Sequence, residues 1–177
     1  QHAIFVSNGT VSLYLALKAM NIGLGDEVIV PDMTFVASGN AVEMAGAVPL
    51  FCEVNRENFQ IDVSKCAHLV TEKTKAIMPV PLYGMAINYD AVMDFAKRYN
   101  LRVIEDAAQA FAVTYKGKQC GTFGDVASFS FYADKTITTG EGGLLVTNNE
   151  EIHTKLQYLV NHGRIKTGSF IHQENGY

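Results

Sequence analysis

The chain has 177 residues, about one domain at roughly 150 residues per domain. Apolar residues make up 48% and charged residues 18%, below an ordinary charged share of about 25%, which excludes a disordered or collagen-like chain. A formal net charge of -4 gives no footprint for nucleic acid or an anionic membrane, and no apolar run is long enough to span a bilayer.

Short runs rich in Val, Ile and Phe alternate with segments of helical period. In chain order the pattern predicts a strand at Ala3 to Val6, a helix at Val11 to Met20, a strand at Glu27 to Val30 and a helix at Ser38 to Ala45. Strands follow at Val48 to Glu53 and Lys75 to Val80, then a helix at Tyr89 to Tyr99 and a strand at Arg102 to Glu105. The last elements are strands at Val126 to Phe131 and Leu144 to Thr147 and a helix at Glu150 to Leu159. This is the alternation of an α/β fold: seven strands in a mainly parallel sheet between helices, with strands such as AIMPV and VASFSF buried on both faces. No linker or repeat divides the chain. Cys52, Cys66 and Cys120 are an odd number at wide spacing, so the expectation is reduced, buried thiols with no disulfide and no metal site. Without a signal-peptide pattern at the N-terminus, the expected location is cytoplasmic. The chain opens almost directly on a strand and closes on the polar run HQENGY, which suggests a piece of a larger protein.

In an open α/β sheet, ligands gather beyond the carboxyl ends of the strands. After the first strand comes SNGT, Ser7 to Thr10, leading into a helix whose N-terminal N–H groups suit a phosphate; the plain alternative is an ordinary N-cap. After the second comes PDMTF, with Phe35 available to stack on a flat ring or, alternatively, to join the core. After the fifth comes EDAAQA. Burying Glu105 or Asp106 without a partner costs several kcal/mol, so a carboxylate here suggests a cationic ring nitrogen, with Gln109 reaching the same ligand if a helix begins at this point. Helix capping is the other use for Asp106. The fourth position is SFSFYADKTITTGEGG, where Ser130 ends a buried strand and Lys135 follows in a loop poor in other charges. A surface lysine is the commoner case, but this one lies on the chemically competent side of the sheet, where an amine can form a Schiff base. Pyridoxal 5'-phosphate would use all of these at once: a lysine for its aldehyde, a carboxylate for its ring nitrogen, a phosphate cup and a stacking aromatic.

At these residues the sequence resembles the DegT/DnrJ type of pyridoxal-phosphate-dependent sugar aminotransferases, of fold-type I. The ordered pieces SNGTVSLYLAL, GDEVIVPDMTFVAS, GAVPLF, TKAIMPVPLYG, VIEDAAQA, GTFGDVASFSF and DKTITTGEGGLLVTN carry the resemblance along nearly the whole chain. TITTGEGG and the final GY are most similar to the perosamine-synthase-like branch. The resemblance implies that Lys135 is the Schiff-base lysine, Asp106 the partner of the ring nitrogen and Gln109 the neighbour of the ring hydroxyl. Phe35 would stack on the ring, Thr10 and Ser130 would bind the phosphate, and Gly9 and Val11 would frame it through their backbone. It implies transfer of an amino group, from glutamate by way of pyridoxamine 5'-phosphate, to a keto-deoxy nucleotide sugar of 4-keto-6-deoxy type. It further implies a homodimer, with His162 to Tyr177 as an arm toward the neighbour, and a large domain lacking an N-terminal segment and a small C-terminal domain. Pro81, Met85 and Asn88 depart from the family pattern around the LYG turn and bear on packing or sugar contact. The competing readings are a related sugar dehydratase, which Lys135 opposes because those enzymes carry histidine there, and a non-catalytic regulatory or assembly module. A nicotinamide-binding fold lacks its GxGxxG after the first strand.

Overall fold

Seven strands form one sheet in the order β1-β9-β8-β5-β4-β2-β3. In the computed structural model, which describes residues 2–164, 171–172 and 175–176, these are β1 (His2–Val6), β2 (Glu27–Pro31), β3 (Val48–Cys52), β4 (Thr74–Ile77), β5 (Arg102–Asp106), β8 (Val126–Ser130) and β9 (Gly143–Thr147). A separate two-stranded hairpin, β6 (Thr114–Tyr115) with β7 (Lys118–Gln119), was not expected; its strands are too short and polar to show a period. The helices are α1 (Gly9–Ala19), α2 (Ala37–Met44), α3 (Tyr89–Tyr99) and α4 (Glu150–Leu159).

The sheet is mainly parallel. β2 pairs in parallel with β3 and β4, and β5 with β4 and β8, whereas β9 runs antiparallel to both β8 and β1. β4 ends at Ile77, short of the expected Val80, because Pro79 and Pro81 have no N–H to continue a ladder. Helices cover both faces, as the buried strands require. α1, α2 and α4 bury Leu13, Leu17, Val42 and Leu156 against Val28, Val30 and Ile104 on one face. α3 buries Tyr89, Val92 and Phe95 against Ile29, Ile77 and Val103 on the other. Alternate residues of β5 thus serve opposite cores, the period of two that governs the site.

The cysteine expectation is corrected. Cys52 and Cys66 are paired as a disulfide with Cα atoms 5.6 Å apart, and Cys120 is free and buried. Between them the chain folds back on itself through the Val54–Ile61 bridge, and this return, invisible in the spacing, brings Cys66 beside the end of β3.

Candidate active site

The site is built where α1, α2, β5 and β8 end or begin together. Asn8 caps α1, its side-chain oxygen accepting the Val11 N–H at 2.9 Å. The capping alternative for SNGT is therefore realised, with the Val11 N–H held by Asn8. Gly9 and Thr10, the first residues of α1, have N–H groups that no earlier turn can satisfy, at the positive end of the helix dipole. Gly9 is needed for approach: a Cβ on it would lie 2.9 Å from the Ser130 Cβ. The first turn of α1 thus rests on the end of β8, with Gly9 against Ser130 and Thr10 the next residue of that turn. Beneath them Ser12 and Ser128, both fully buried, hydrogen-bond to each other, and the Ser12 hydroxyl donates to the Gly9 carbonyl at 2.7 Å.

Lys135 lies on the loop from β8 to β9. Phe131 anchors this loop: its N–H donates to the Gly142 carbonyl at 2.9 Å, and its own carbonyl accepts from the Thr139 N–H and the Thr138 hydroxyl. The Lys135 N–H closes a turn onto the Tyr132 carbonyl at 3.0 Å. Every residue from 132 to 140 except Lys135 is exposed, and the Lys135 side chain is 20% exposed. A Cβ on Gly143, where the loop rejoins the sheet, would sit 2.4 Å from the Asn8 carbonyl oxygen, so this glycine lets the loop close onto the α1 cap.

Asp106 ends β5 with 4% exposure. One carboxylate oxygen accepts from the Ser38 hydroxyl at 2.7 Å, and the other takes a longer 3.3 Å bond from the Ala108 N–H. Burial pushes its pKa up; the Ser38 and Ala108 bonds and the charge of Lys135 pull it back. No helix follows it. Residues 107–112 form successive turns, so Asp106 caps no helix and Gln109 arrives by a turn. The Gln109 side-chain oxygen accepts the Tyr83 N–H at 2.8 Å, leaving the amide NH2 as its donor toward a ligand. Tyr83 holds a left-handed backbone, φ 55°, a conformation that costs a non-glycine residue about 1 to 2 kcal/mol. The buried Gln60 supports that turn, bonding the Leu82 N–H and carbonyl with its two amide atoms. Phe35, 68% exposed just before α2, does not join the core. Of the departures near LYG, Asn88 caps α3 and Pro81 is buried.

Sequence reasoning missed Ser12, Ser38, Ser128 and Gln60. Small polar residues inside helical or strand patterns, as Ser12, Ser38 and Ser128 are, look like surface positions, and Gln60 lies in a loop with no period; the signal available was Thr34 of PDMTF four residues before Ser38. Two other features lie away from the strand ends. A cavity of about 460 Å³ is lined by Phe111, Phe129, Leu144 and Val146 but contains neither Lys135 nor Asp106. His2, Glu150 and His153 place ligand-type atoms within 4.8 Å of one another. The two imidazoles stack at 3.9 Å with planes 17° apart, which sets their lone pairs side by side instead of converging on an ion.

The fold and these residues define a class, and comparison with known proteins gives the same one. S. venezuelae DesV, solved in complex with a ketimine intermediate, matches 99% of this chain at a TM-score of 0.94 and 39% identity, over 47% of its own length. NtdA from Bacillus subtilis, solved with bound cofactor PMP, matches 100% of this chain at a TM-score of 0.91 and 34% identity, over 40% of its length. The model of the DegT/DnrJ/EryC1/StrS aminotransferase family matches residues 1–177, and the chain belongs to that family. A GDP-perosamine synthase of Caulobacter vibrioides is 49% identical over 163 residues, 92% of this chain and 44% of that one. The chain spans about half the length of the curated relatives it matches.

Proposed function

We propose that this chain forms the cofactor-binding part of a pyridoxal 5'-phosphate-dependent aminotransferase. It moves an amino group from glutamate, with pyridoxamine 5'-phosphate as the loaded form, to a keto-deoxy nucleotide sugar of 4-keto-6-deoxy type. The observation that carries this is the buried Asp106 carboxylate at the end of β5, which keeps acceptor capacity beyond its Ser38 and Ala108 bonds, while Lys135, ion-paired to Asp134 at 3.4 Å, is the one residue from 132 to 140 that is not exposed.

The residues present fit the group. Asp106 is buried yet incompletely bonded, as a partner for a cationic ring nitrogen must be. Gly9 keeps side-chain atoms out of the angle between α1 and β8, where Thr10 and Ser130 offer N–H and hydroxyl donors for a phosphate. Gln109 keeps its amide donor for the ring hydroxyl, and the exposed Phe35 is the aromatic that would stack on the ring. The cofactor supplies an aldehyde for imine exchange and a ring that accepts the electron pair of a broken Cα–H bond. Lys135 would hold the cofactor through its Nζ and, as a free amine, would carry a proton at that atom. Asp106 would keep the ring nitrogen protonated, because a negative charge in a buried site favours a facing cation.

Lys135 argues against the dehydratase reading. A homodimer is part of the proposal, supported by the exposed Phe35, Val36, Met44 and Phe51 around α2 and β3, beside the site. The arm expected at His162 to Tyr177 lies mostly outside the described residues. Among the described residues no helix is long and apolar enough to cross a membrane. The proposed location is cytoplasmic.

The test is a half-reaction. Adding glutamate to the complete polypeptide loaded with pyridoxal phosphate should convert the bound cofactor to its amine form and release 2-oxoglutarate in equal amount. A 4-keto-6-deoxy nucleotide sugar should then reverse the spectral change. No conversion with glutamate or any other amino donor would overturn the reading.

A further inference from the structure

Asp106 does not stand alone behind the site: a hydroxyl chain leads to it from the start of α2. The Thr34 and Ser38 hydroxyls lie 2.8 Å apart, and Ser38 Oγ lies 2.7 Å from Asp106 Oδ2. Ser38 is fully buried and belongs to the first turn of α2, so its position is fixed by backbone and not by a flexible loop. A hydroxyl has one proton to give. An ionised carboxylate can only accept, so the Ser38 proton goes to Asp106, and Thr34 must then donate to the Ser38 oxygen. The order Thr34 to Ser38 to Asp106 is therefore fixed in direction, and each donor strengthens the next.

We propose that Ser38 is a positioning residue for the cofactor, aiming Asp106 and holding it in the charged form that a protonated ring nitrogen requires, with Thr34 committing its proton. This rests on the pyridoxal phosphate reading above. The opposing influences on Asp106 agree with the geometry: burial favours the neutral acid, and the Ser38 bond is the foremost interaction favouring the carboxylate. The groups facing Asp106 are Ser38 from α2, Ala108 from its own turn and Lys135 from the β8–β9 loop. Of these only Ser38 offers a short bond from a fully buried donor. Sequence gave Ser38 no role because it stands at an ordinary helical position; the fold gives it one by resting α2 over the end of β5.

The experiment compares Ser38→Ala, Ser38→Thr and Thr34→Val with the wild type in the complete polypeptide. Each is titrated with pyridoxal 5'-phosphate across pH, with the cofactor absorbance and the melting temperature of the cofactor-free form as readouts. Ser38→Ala should weaken cofactor binding about tenfold and move the acid limb of binding to higher pH by about one unit, since losing a hydrogen bond to the charged form makes Asp106 harder to ionise. Ser38→Thr keeps the hydroxyl and should bind within about threefold of wild type; Thr34→Val should shift the acid limb in the same direction by less. If Ser38→Ala changes the melting temperature but leaves affinity and acid limb as in wild type, Ser38 merely packs and the proposal fails. It fails equally if the threonine variant behaves like the alanine one. Should Ser38→Ala not fold, Ser38→Thr and Thr34→Val decide: an unmoved acid limb in Thr34→Val overturns the chain of donors. Failure of the wild type to bind the cofactor would instead overturn the proposed function, and this assignment with it.

Discussion

Glu105 and Asp106 are neighbours at the end of one strand, both buried, and they do opposite things. Glu105 faces the α3 side, where its two oxygens accept N–H groups from Gly121 at 2.7 Å, Phe123 at 2.7 Å and Gly124 at 2.6 Å. Its bonds are all spent on shaping the loop that enters β8. Asp106 faces the α2 side and has one short bond from Ser38 and one long one from Ala108. The difference shows how a buried carboxylate announces its work. A filled acceptor shell marks a structural group; a partly filled one is what the proposed function requires of Asp106.

The comparison breaks most visibly at Glu105. Glu105→Ala leaves one buried and two part-buried N–H groups without an acceptor, and at about 1 to 3 kcal/mol for the buried group with less for each of the others the expected loss is about 2 kcal/mol or more, read by urea denaturation. Glu105→Gln, keeping one acceptor oxygen, should lose less. An unchanged midpoint in the alanine variant would contradict the structural assignment.

Asp106→Asn should act on turnover and spare the fold. Losing the charge opposite the ring nitrogen removes about 2 to 4 kcal/mol of transition-state stabilisation, about 30- to 1000-fold in single-turnover rate. Its effect on stability has the other sign. Because burial raises the Asp106 pKa in the folded state, folding binds the proton more tightly, so this group's contribution is favourable at low pH and is withdrawn as pH rises above its unfolded value of about 4. Without cofactor, Asp106→Asn should therefore lose less stability than the wild type between low and neutral pH, as followed by thermal melts. A steeper loss in the asparagine variant would show that Asp106, like Glu105, is there for the fold.

The smallest effect concerns the phosphate end. Gly9→Ala sets a methyl group 2.9 Å from the Ser130 Cβ, and overpacking of this kind costs about 1 to 3 kcal/mol. The first turn of α1 should lift from β8, and cofactor affinity should fall with the melting temperature. A variant with unchanged affinity would place the phosphate elsewhere.

Much of the architecture was legible because buried strands and amphipathic helices write their periods plainly: all seven sheet strands and four helices fall where the pattern places them. Direction was not legible. Nothing in LLVT says that β9 runs antiparallel to its neighbours, because an apolar run reads the same in either direction. The Cys52–Cys66 pairing was hidden for a similar reason, since it depends on a loop's return. At the site, the residue types around Lys135, Asp106 and Gln109 pointed to a cofactor, but the turn that follows Asp106 in place of a helix did not. The separation of Glu105 from Asp106 was available in principle, because adjacent strand residues point to opposite faces. What the sequence could not supply was which face carried donors to spare, and that depends on Ser38, Tyr83 and Gln60 arriving from distant elements.

The most direct test of the account is chemical. Borohydride reduction of the complete polypeptide with bound pyridoxal 5'-phosphate, followed by peptide mapping, should place a single pyridoxyl label on Lys135, and Lys135→Ala should abolish it. A label on Lys116 or Lys118, in the β6–β7 hairpin, would contradict the site described above.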